Sequence, residues 1–231
     1  MLLHNIKLSE IKNNFSYYEI KTEKNKYDGS FIEIKKTANE ISIKVDIFSR
    51  IPFYYYIKKD KIFGNSSFVE LVKELKKNKL PLSLDNVSIA TFLKNNSFTE
   101  NFTYFKEVLR VPPGSSLKFD CNNGITNIEQ YYKYNSKILK EKNIKKIANN
   151  YVEILKSNFQ SYIDQNNFKN IGISLTGGFD SRMILSLLYD LNKKPTAFHY
   201  GHIKSNDFRV TKKIIKEYDL DNYIIEWKNL S

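Results

Sequence analysis

Between residues 28 and 72, short runs of β-branched and aromatic residues alternate with polar residues. A period of two is typical of strands that bury one face. The pattern predicts four strands: Ser30–Lys35, Ile41–Phe48, Phe53–Ile57 and Lys61–Gly64. The polar step Lys58-Lys59-Asp60 is short enough for a hairpin, so we expect the strands to pair in antiparallel fashion.

Two helices are predicted to follow these strands. Ser67 and Glu70 form a capping-box pattern, which indicates a helix start at Ser67. The apolar face of this helix comprises Phe68, Leu71, Val72 and Leu75. A shorter helix is predicted over Asp85–Lys94. The residues expected to face inward from it are Val87, Ala90, Phe92 and Leu93.

Turn residues punctuate the next part of the chain. A Pro-Pro-Gly turn at 112–114 leads into a predicted strand over Ser116–Asp120. Asn122-Asn123-Gly124 then favours a reversal into a return strand over Ile125–Tyr132.

The apolar period changes to 3.6 between Ser136 and Ile163, which predicts one long amphipathic helix. Its stripe comprises Ile147, Tyr151, Ile154, Leu155, Phe159 and Tyr162. We place a domain boundary near Asn135, where the period changes.

Strands and helices alternate beyond this helix. The predicted strands are Ile171–Leu175, Thr196–Tyr200 and Tyr223–Trp227, and the predicted helices are Asp180–Leu191 and Phe208–Tyr218. Alternation of this kind predicts a parallel sheet with helical crossovers. The expected fold class is therefore a strand-rich α+β domain over residues 1–135, followed by an α/β domain over residues 136–231.

Composition predicts a folded chain. Of the 231 residues 41% are hydrophobic and 14% aromatic, which is too much apolar surface for a disordered segment. No apolar run approaches the roughly 20 residues that span a bilayer, and the first residues lack a secretory signal, so we expect a cytoplasmic protein without a membrane partner. The single cysteine, Cys121, excludes an internal disulfide and a multi-thiolate zinc site, and we interpret it as a turn residue.

The net charge of +12 raises the question of a nucleic-acid partner. Only four of the 37 basic residues are arginine, and the lysines are spread along the whole chain. Most of these lysines should be solvated positions whose stems cover apolar surface. We therefore expect no specific nucleic-acid surface.

The most informative segment is Thr176-Gly177-Gly178-Phe179-Asp180-Ser181, between a predicted strand and a predicted helix. Adjacent glycines let the backbone approach a bulky anion without a Cβ clash. The hydroxyls of Thr176 and Ser181 and the amides at the helix start can donate to phosphate oxygens. The carboxylate of Asp180 would repel polyphosphate unless a divalent cation lay between them, which favours Mg²⁺. The segment therefore predicts a site for metal-bound pyrophosphate.

The competing interpretation is a plain turn in which Asp180 and Ser181 cap the helix. Two familiar phosphate-binding loops do not fit, because the Walker loop needs a Lys after its last glycine and G-x-G-x-x-G has another spacing. The residues of the following helix expected to face the sheet are Met183, Ile184, Leu187 and Leu188.

Four further polar residues fall near this segment. His199 and His202 are interpreted as polar loop residues rather than as metal ligands or acid–base groups. Asp207 is expected to cap the helix that begins at Phe208. Arg182 could reach a phosphate or pair with an acidic neighbour, and both interpretations stay open.

The sequence TGGFDSR resembles the SGGxDS pyrophosphate loop of ATP pyrophosphatases, in particular the LSGGLDSR form of asparagine synthetase-like amidotransferases. Two upstream segments are also similar to this family. DIFSRIPFYYYIKKDKIFGNSSFVELVKEL resembles part of its glutaminase domain, and TENFTYFKEVLRVPPGSSLKFD resembles the segment that leads into its Pro-Pro-Gly turn. The three segments occur in the family's order, and the resemblance covers residues 40 to 231.

The resemblance implies a partial, catalytically inactive glutaminase-like (Ntn-type) domain, followed by the first part of an ATP-pyrophosphatase domain of the adenine nucleotide α-hydrolase-like fold. It implies a carbon–nitrogen ligase of asparagine biosynthesis that uses ATP and Mg²⁺. Aspartate or a related carboxylate would be adenylated with release of pyrophosphate, and ammonia or another amine would then displace AMP. Asp180 would hold the metal, Phe179 and Arg182 would belong to the loop, and adenine would be held by Ser174, Leu175, Tyr200 and Gly201.

The sequence also departs from the family. The glutamine-hydrolysing members carry a nucleophilic Cys after the initiator Met, where this chain has Leu2. Only about 40 residues precede the first matching strand, where the family has roughly a hundred, so the glutamine pocket is expected to be absent and Arg50 to support a loop. The family also continues beyond the equivalent of Trp227 with a second metal carboxylate and a catalytic Lys.

These departures predict a fragment, a truncated relative or one half of a split enzyme. A homo-oligomer or a partner chain that supplies the missing half would then complete the site. One alternative function is a non-catalytic nucleotide-binding subunit, and another is half of a peptide-cyclase or lactam-type synthetase.

Overall fold

The computed structural model describes residues 6–12, 14–21, 29–134 and 141–227. The chain divides into two compact units, Met1–Ser136 and Lys137–Ser231. The strands are β1 (Phe15–Lys21), β2 (Gly29–Lys36), β3 (Glu40–Val45), β4 (Tyr54–Lys58), β5 (Lys61–Asn65), β6 (Val108–Arg110), β7 (Ser115–Asp120), β8 (Thr126–Gln130), β9 (Gly172–Ser174), β10 (Thr196–Gly201) and β11 (Asn222–Glu226). The helices are α1 (Phe68–Lys77), α2 (Asn86–Asn95), α3 (Ile144–Asn166), α4 (Phe179–Asp190) and α5 (Asn206–Glu217). The architecture is mixed α/β, with antiparallel sheets in the first unit and a parallel sheet in the second.

Five strands of the first unit form one antiparallel sheet in the order β1-β2-β3-β7-β8. The strands predicted on either side of the Asn-Asn-Gly turn are confirmed as β7 and β8, and Gly124 in that turn has φ +72°. β1 has no counterpart among the predicted strands. β3 ends at Val45 rather than at Phe48, because Asp46 begins a turn.

The buried carboxylate of Asp46 organises this turn. Its Oδ1 accepts the N–H of Phe48 at 2.9 Å, and both oxygens accept the N–H of Arg50, at 3.2 and 3.1 Å. The N–H of Phe31 on β2 donates to Oδ2 at 3.4 Å. These donors compensate the burial of a polar group. Arg50 thus contributes its main chain to the turn.

A second antiparallel sheet has the order β5-β4-β6. Lys58 pairs with Lys61, which confirms the predicted hairpin. Alternate residues of β4 face opposite sides, as a strand requires. Tyr55 lies in the core formed with residues of the five-stranded sheet, whereas Tyr56 packs with residues of α1. The first unit is therefore layered as sheet, sheet and helix.

The start of α1 is confirmed, because Ser67 Oγ accepts the N–H of Glu70 at 3.4 Å. The reciprocal half of the capping box is wrong. The N–H of Ser67 donates to Asn65 Oδ1 at 2.8 Å, and the Glu70 carboxylate pairs with Lys73 at 2.7 Å.

The predicted inward face of α2 is wrong for three residues. The exposed positions are Val87, Ala90 and Leu93. Ser88 is buried instead, and Phe92 stacks on Phe98 with ring centroids 4.8 Å apart. Ser88 and Phe92 are one turn apart on the helix, so the stacking on Phe98 turns that face inward.

Three parallel strands form the sheet of the second unit in the order β11-β10-β9, which confirms the predicted alternation of strands and helices. One face of β10 is covered, with Ala197 and His199 buried. The other face presents Phe198 and Tyr200, which are 41% and 60% exposed. The apolar core lies on the covered face, between the sheet and α4 and α5.

The buried face of α4 agrees with the prediction at Leu187 and Leu188 and differs at two positions. Leu185 is buried, whereas Met183 is 41% exposed. α4 and α5 both begin and end close to the predicted residues, because their apolar spacing and the turns around them are distinct in the sequence.

α3 begins at Ile144, where Asn143 Oδ1 accepts the N–H of Lys146 at 3.2 Å. Residues 136–140 of the predicted helix lie outside the described residues. Ile163 is buried, whereas Tyr151 and Ile154 of the predicted stripe are 55% and 59% exposed. Across the part of the chain that the structure describes, none of the helices combines the length and apolar character needed to cross a bilayer.

Candidate functional site

The candidate site is the loop that joins β9 to α4, at the carboxyl end of the parallel sheet. Gly178 is the N-cap of α4, and no side chain caps this helix. The N–H groups of residues 179–181 lie in its first turn and have no partner within the helix. Asp180 lies in the same turn, is exposed, and has no hydrogen-bond or ion-pair partner among the described residues.

The two hydroxyls predicted to bind phosphate bond to each other. Ser181 Oγ accepts the N–H of Thr176 at 3.1 Å and donates to the carbonyl of the same residue at 3.1 Å. The hydroxyls of Thr176 and Ser181 are 3.1 Å apart, and Thr176 Oγ1 accepts the N–H of Gly178 at 3.2 Å. Both hydroxyl protons are therefore engaged inside the loop, and its unengaged donors are main-chain amides of the helix start.

The two glycines of the loop are explained by close approach rather than by a left-handed backbone. Gly178 has φ −71°, and Gly177 has no positive φ. A Cβ at Gly177 would lie 2.7 Å from Asp207 Oδ1 and 3.3 Å from Val210 Cβ. A glycine at position 177 therefore lets the loop lie directly against the start of α5.

The prediction that Asp207 caps α5 is wrong. The N-cap is Ser205, whose Oγ accepts the N–H of Phe208 at 3.1 Å. Asp207 lies within the first turn of α5, and its Oδ1 accepts the N–H of Gly177 at 2.6 Å. Asp207 is thus a residue of the candidate site, and this contact spans 30 residues of sequence.

Among the described residues Arg182 contacts the loop itself and pairs with no acidic neighbour. Its Nε donates to the carbonyl of Gly178 at 3.1 Å, and its guanidinium lies 4.5 Å from the centroid of the Phe179 ring. Phe179 is 83% exposed. Phe179 and Arg182 therefore form an exposed cation–π pair beside the loop.

The interpretation of His199 as a polar loop residue is wrong, because His199 is a buried residue of β10, only 3% exposed. Its Nδ1 lies 3.0 Å from the carbonyl oxygen of Leu175. A carbonyl only accepts, so this contact places the proton on Nδ1. Nε2 is buried without a hydrogen-bond partner among the described atoms. The hydroxyl of Thr211 donates to the same carbonyl at 3.4 Å, so two elements fix the peptide that enters the loop.

The residues expected to hold adenine lie at the ends of β9 and β10, which are neighbours in the sheet. Ser174 and Tyr200 are exposed, and Gly201 is half-buried. The N–H of Leu175 donates to Phe198 O at 2.8 Å, and its carbonyl accepts from His199 and Thr211, so both of its main-chain groups are engaged. The carbonyl of Gly201 accepts the N–H of Trp227 at 3.1 Å.

Within the described ranges no three His, Cys, Asp or Glu side chains lie close enough together to bind a metal ion. His202 contacts its own loop, where its Nδ1 accepts the N–H of Lys204 at 3.2 Å. The metal-binding residue predicted at the loop is Asp180 alone, whose oxygens are of the kind that Mg²⁺ prefers. The chain matches no protein-family model and no curated protein. The functional inference therefore depends on the geometry of the loop.

Proposed function

We propose that the second unit binds the pyrophosphate end of Mg²⁺–ATP at residues 176–182, as the ATP-pyrophosphatase-like part of an asparagine synthetase-like ligase. The observation that carries the proposal is a glycine loop at the carboxyl end of a parallel strand, which leads into a helix without a side-chain cap. Unpaired amides and the positive end of the helix dipole favour an anion at such a place.

Asp180 supports the metal-bound form of the ligand. Without a cation between them, the Asp180 carboxylate would repel a polyphosphate bound at the amides of the helix start. Mg²⁺ is usually bound by one or two carboxylates together with phosphate oxygens and water, and the exposed Asp180 can supply such a carboxylate. The bound cation would supply charge neutralisation on the leaving pyrophosphate.

The rest of the nucleotide would extend along the carboxyl edge of the sheet. Ser174, Tyr200 and Gly201 lie on this edge next to the loop and remain the proposed contacts for adenine. An acceptor carboxylate, aspartate or a relative, would attack the α-phosphate, and ammonia or another amine would displace AMP. The loop amides would stabilise the charge that develops on the pyrophosphate.

The first unit is proposed to be a glutaminase-like module without glutaminase activity. Its two antiparallel sheets with a shared core and its Pro-Pro-Gly turn, in which Gly114 has φ +61°, support this assignment. Leu2 stands where the hydrolysing members of the family carry their nucleophile.

A titration of the full chain with Mg²⁺–ATP tests the proposal. We expect Asp180→Ala to weaken binding several-fold, because the carboxylate that meets the cation is lost. Asp190→Ala removes the same charge from the other end of α4, where Asp190 pairs with Lys156 at 2.7 Å, and should leave the affinity unchanged. Equal affinities for wild type and Asp180→Ala would contradict the loop assignment.

Pyrophosphate release separates the two proposed functions of the same loop. Release on addition of aspartate and ammonia would support the ligase. Binding of Mg²⁺–ATP without release would instead support the non-catalytic nucleotide-binding subunit.

A further inference from the structure

The carboxylate of Asp207 accepts a hydrogen bond from a main-chain amide of the proposed phosphate loop. Its Oδ1 accepts the N–H of Gly177 at 2.6 Å, and a hydrogen bond to a carboxylate is stronger than one between neutral groups. An amide that donates to a carboxylate oxygen makes the same kind of contact as one that donates to a phosphate oxygen. The loop therefore already holds an anionic oxygen, supplied by the chain itself.

Two features of the local sequence allow this contact: position 177 is a glycine, and α5 does not need Asp207 as its cap. A side chain at position 177 would collide with Oδ1, so the glycine makes room for the carboxylate. α5 is capped by Ser205, which leaves the Asp207 carboxylate available to the loop. Among the described residues Asp207 has no ion pair that would neutralise its charge.

A polyphosphate that takes the Gly177 amide must displace this carboxylate. It then lies at a loop that carries two carboxylates, Asp180 and Asp207. A metal-free anion meets this repulsion without compensation, whereas a metal-complexed anion brings a cation whose charge offsets it.

We propose that Asp207 is a specificity-determining residue: its carboxylate holds the place of a phosphate oxygen on the Gly177 amide and makes the loop select metal-complexed over metal-free polyphosphate. This inference depends on the proposed function of the loop.

The experiment measures the affinity of the full chain for inorganic pyrophosphate with and without Mg²⁺. We expect Asp207→Ala to tighten metal-free binding about tenfold, the change that one charge-assisted hydrogen bond carries. Binding with Mg²⁺ should change less, so the ratio of the two dissociation constants falls. Asp207→Asn keeps an acceptor for Gly177 and removes only the charge, and should give an intermediate ratio.

Asp219→Asn is the matched control. It removes one carboxylate charge from the same unit at an exposed position that pairs with Lys194, and it should leave the ratio unchanged. If the alanine variant does not fold, the asparagine variant decides.

An unchanged ratio in the Asp207 variants would overturn the inference. Equal weakening with and without Mg²⁺ would also overturn it, because that result describes a residue that only orders the loop. If no form of the chain, wild type included, binds pyrophosphate in either condition, the proposed function fails and this inference fails with it.

Discussion

At the scale of single residues, Gly177 and Gly178 differ in what surrounds them. A Cβ at Gly177 would lie 2.7 Å from Asp207 Oδ1, whereas a Cβ at Gly178 would meet only Thr176 Oγ1, at 3.3 Å. We expect Gly177→Ala to lower the free energy of unfolding of the second unit by about 1–3 kcal/mol, the usual cost of overpacking. Gly178→Ala should cost less, about 0.5–1 kcal/mol, because alanine is a poorer N-cap than glycine and the added Cβ meets no neighbour closer than 3.3 Å.

Urea denaturation followed by Trp fluorescence measures this difference. Trp227 is the single Trp of the chain and lies in the second unit, so its emission reports on that unit. Equal losses of stability in the two variants would show that α5 does not confine the loop at Gly177.

Whether a site residue can be predicted from the sequence depends on how far it lies from the rest of the site along the chain. The loop residues from Thr176 to Ser181 could be selected from the sequence because they are contiguous. The contact of Asp207 with the loop could not, because it joins residues far apart in the chain and Asp207 looks like an ordinary helix-start residue. The sequence holds one signal for this contact. Ser205 stands two residues before Asp207 and can itself cap the helix, so Asp207 is not needed as the cap.

At the scale of secondary structure, the sequence predicts the helices and strands that have strong periodicity. It predicts which of their faces are buried only in part. α5 and β10 follow from apolar spacing and adjacent turns. The orientation of α2 depends on the stacking of Phe92 on Phe98, a contact outside the helix, so its own pattern was not sufficient. In β10 the alternation predicts the strand, but the burial of His199 follows from Leu175 and Thr211 on neighbouring elements.

β4 offers a prediction at this scale, since its Tyr55 is only 4% exposed in the core of the first unit. Burial raises the pKa of the Tyr55 phenol above its ordinary value of 10.0, and a hydrogen bond with Asn101 lowers it in part. Because the folded pKa is the higher one, the unfolded chain loses this proton first as the pH rises. The contribution of Tyr55 to stability is therefore complete below about pH 10 and is lost above it.

We expect Tyr55→Phe to reduce the fall in the free energy of unfolding between about pH 9 and pH 11, because Phe has no proton to lose. Urea denaturation followed by circular dichroism measures this fall. Tyr134→Phe, at an 81% exposed position, is the control and should keep the wild-type pH dependence. An identical fall in Tyr55→Phe and wild type would show that Tyr55 is not the source of the dependence.

At the scale of the whole molecule, the two units differ in what they contribute to the proposed function. The first unit holds the buried carboxylate of Asp46, which organises a turn, and a core shared by two sheets, and both features stabilise the fold. The second unit holds the uncapped helix start, the exposed Asp180 and the carboxylate of Asp207 at one loop. The proposed chemistry therefore belongs to the second unit, and the central claim is that a metal-bound polyphosphate lies in its loop.

Hydrogen exchange of the full chain, followed by mass spectrometry with and without Mg²⁺–ATP, tests this claim most directly. We expect slower exchange of the main-chain amides of residues 179–181 when the nucleotide is present, because those amides then donate to phosphate oxygens. Unchanged exchange over this segment at a saturating nucleotide concentration, or protection confined to other parts of the chain, would contradict it.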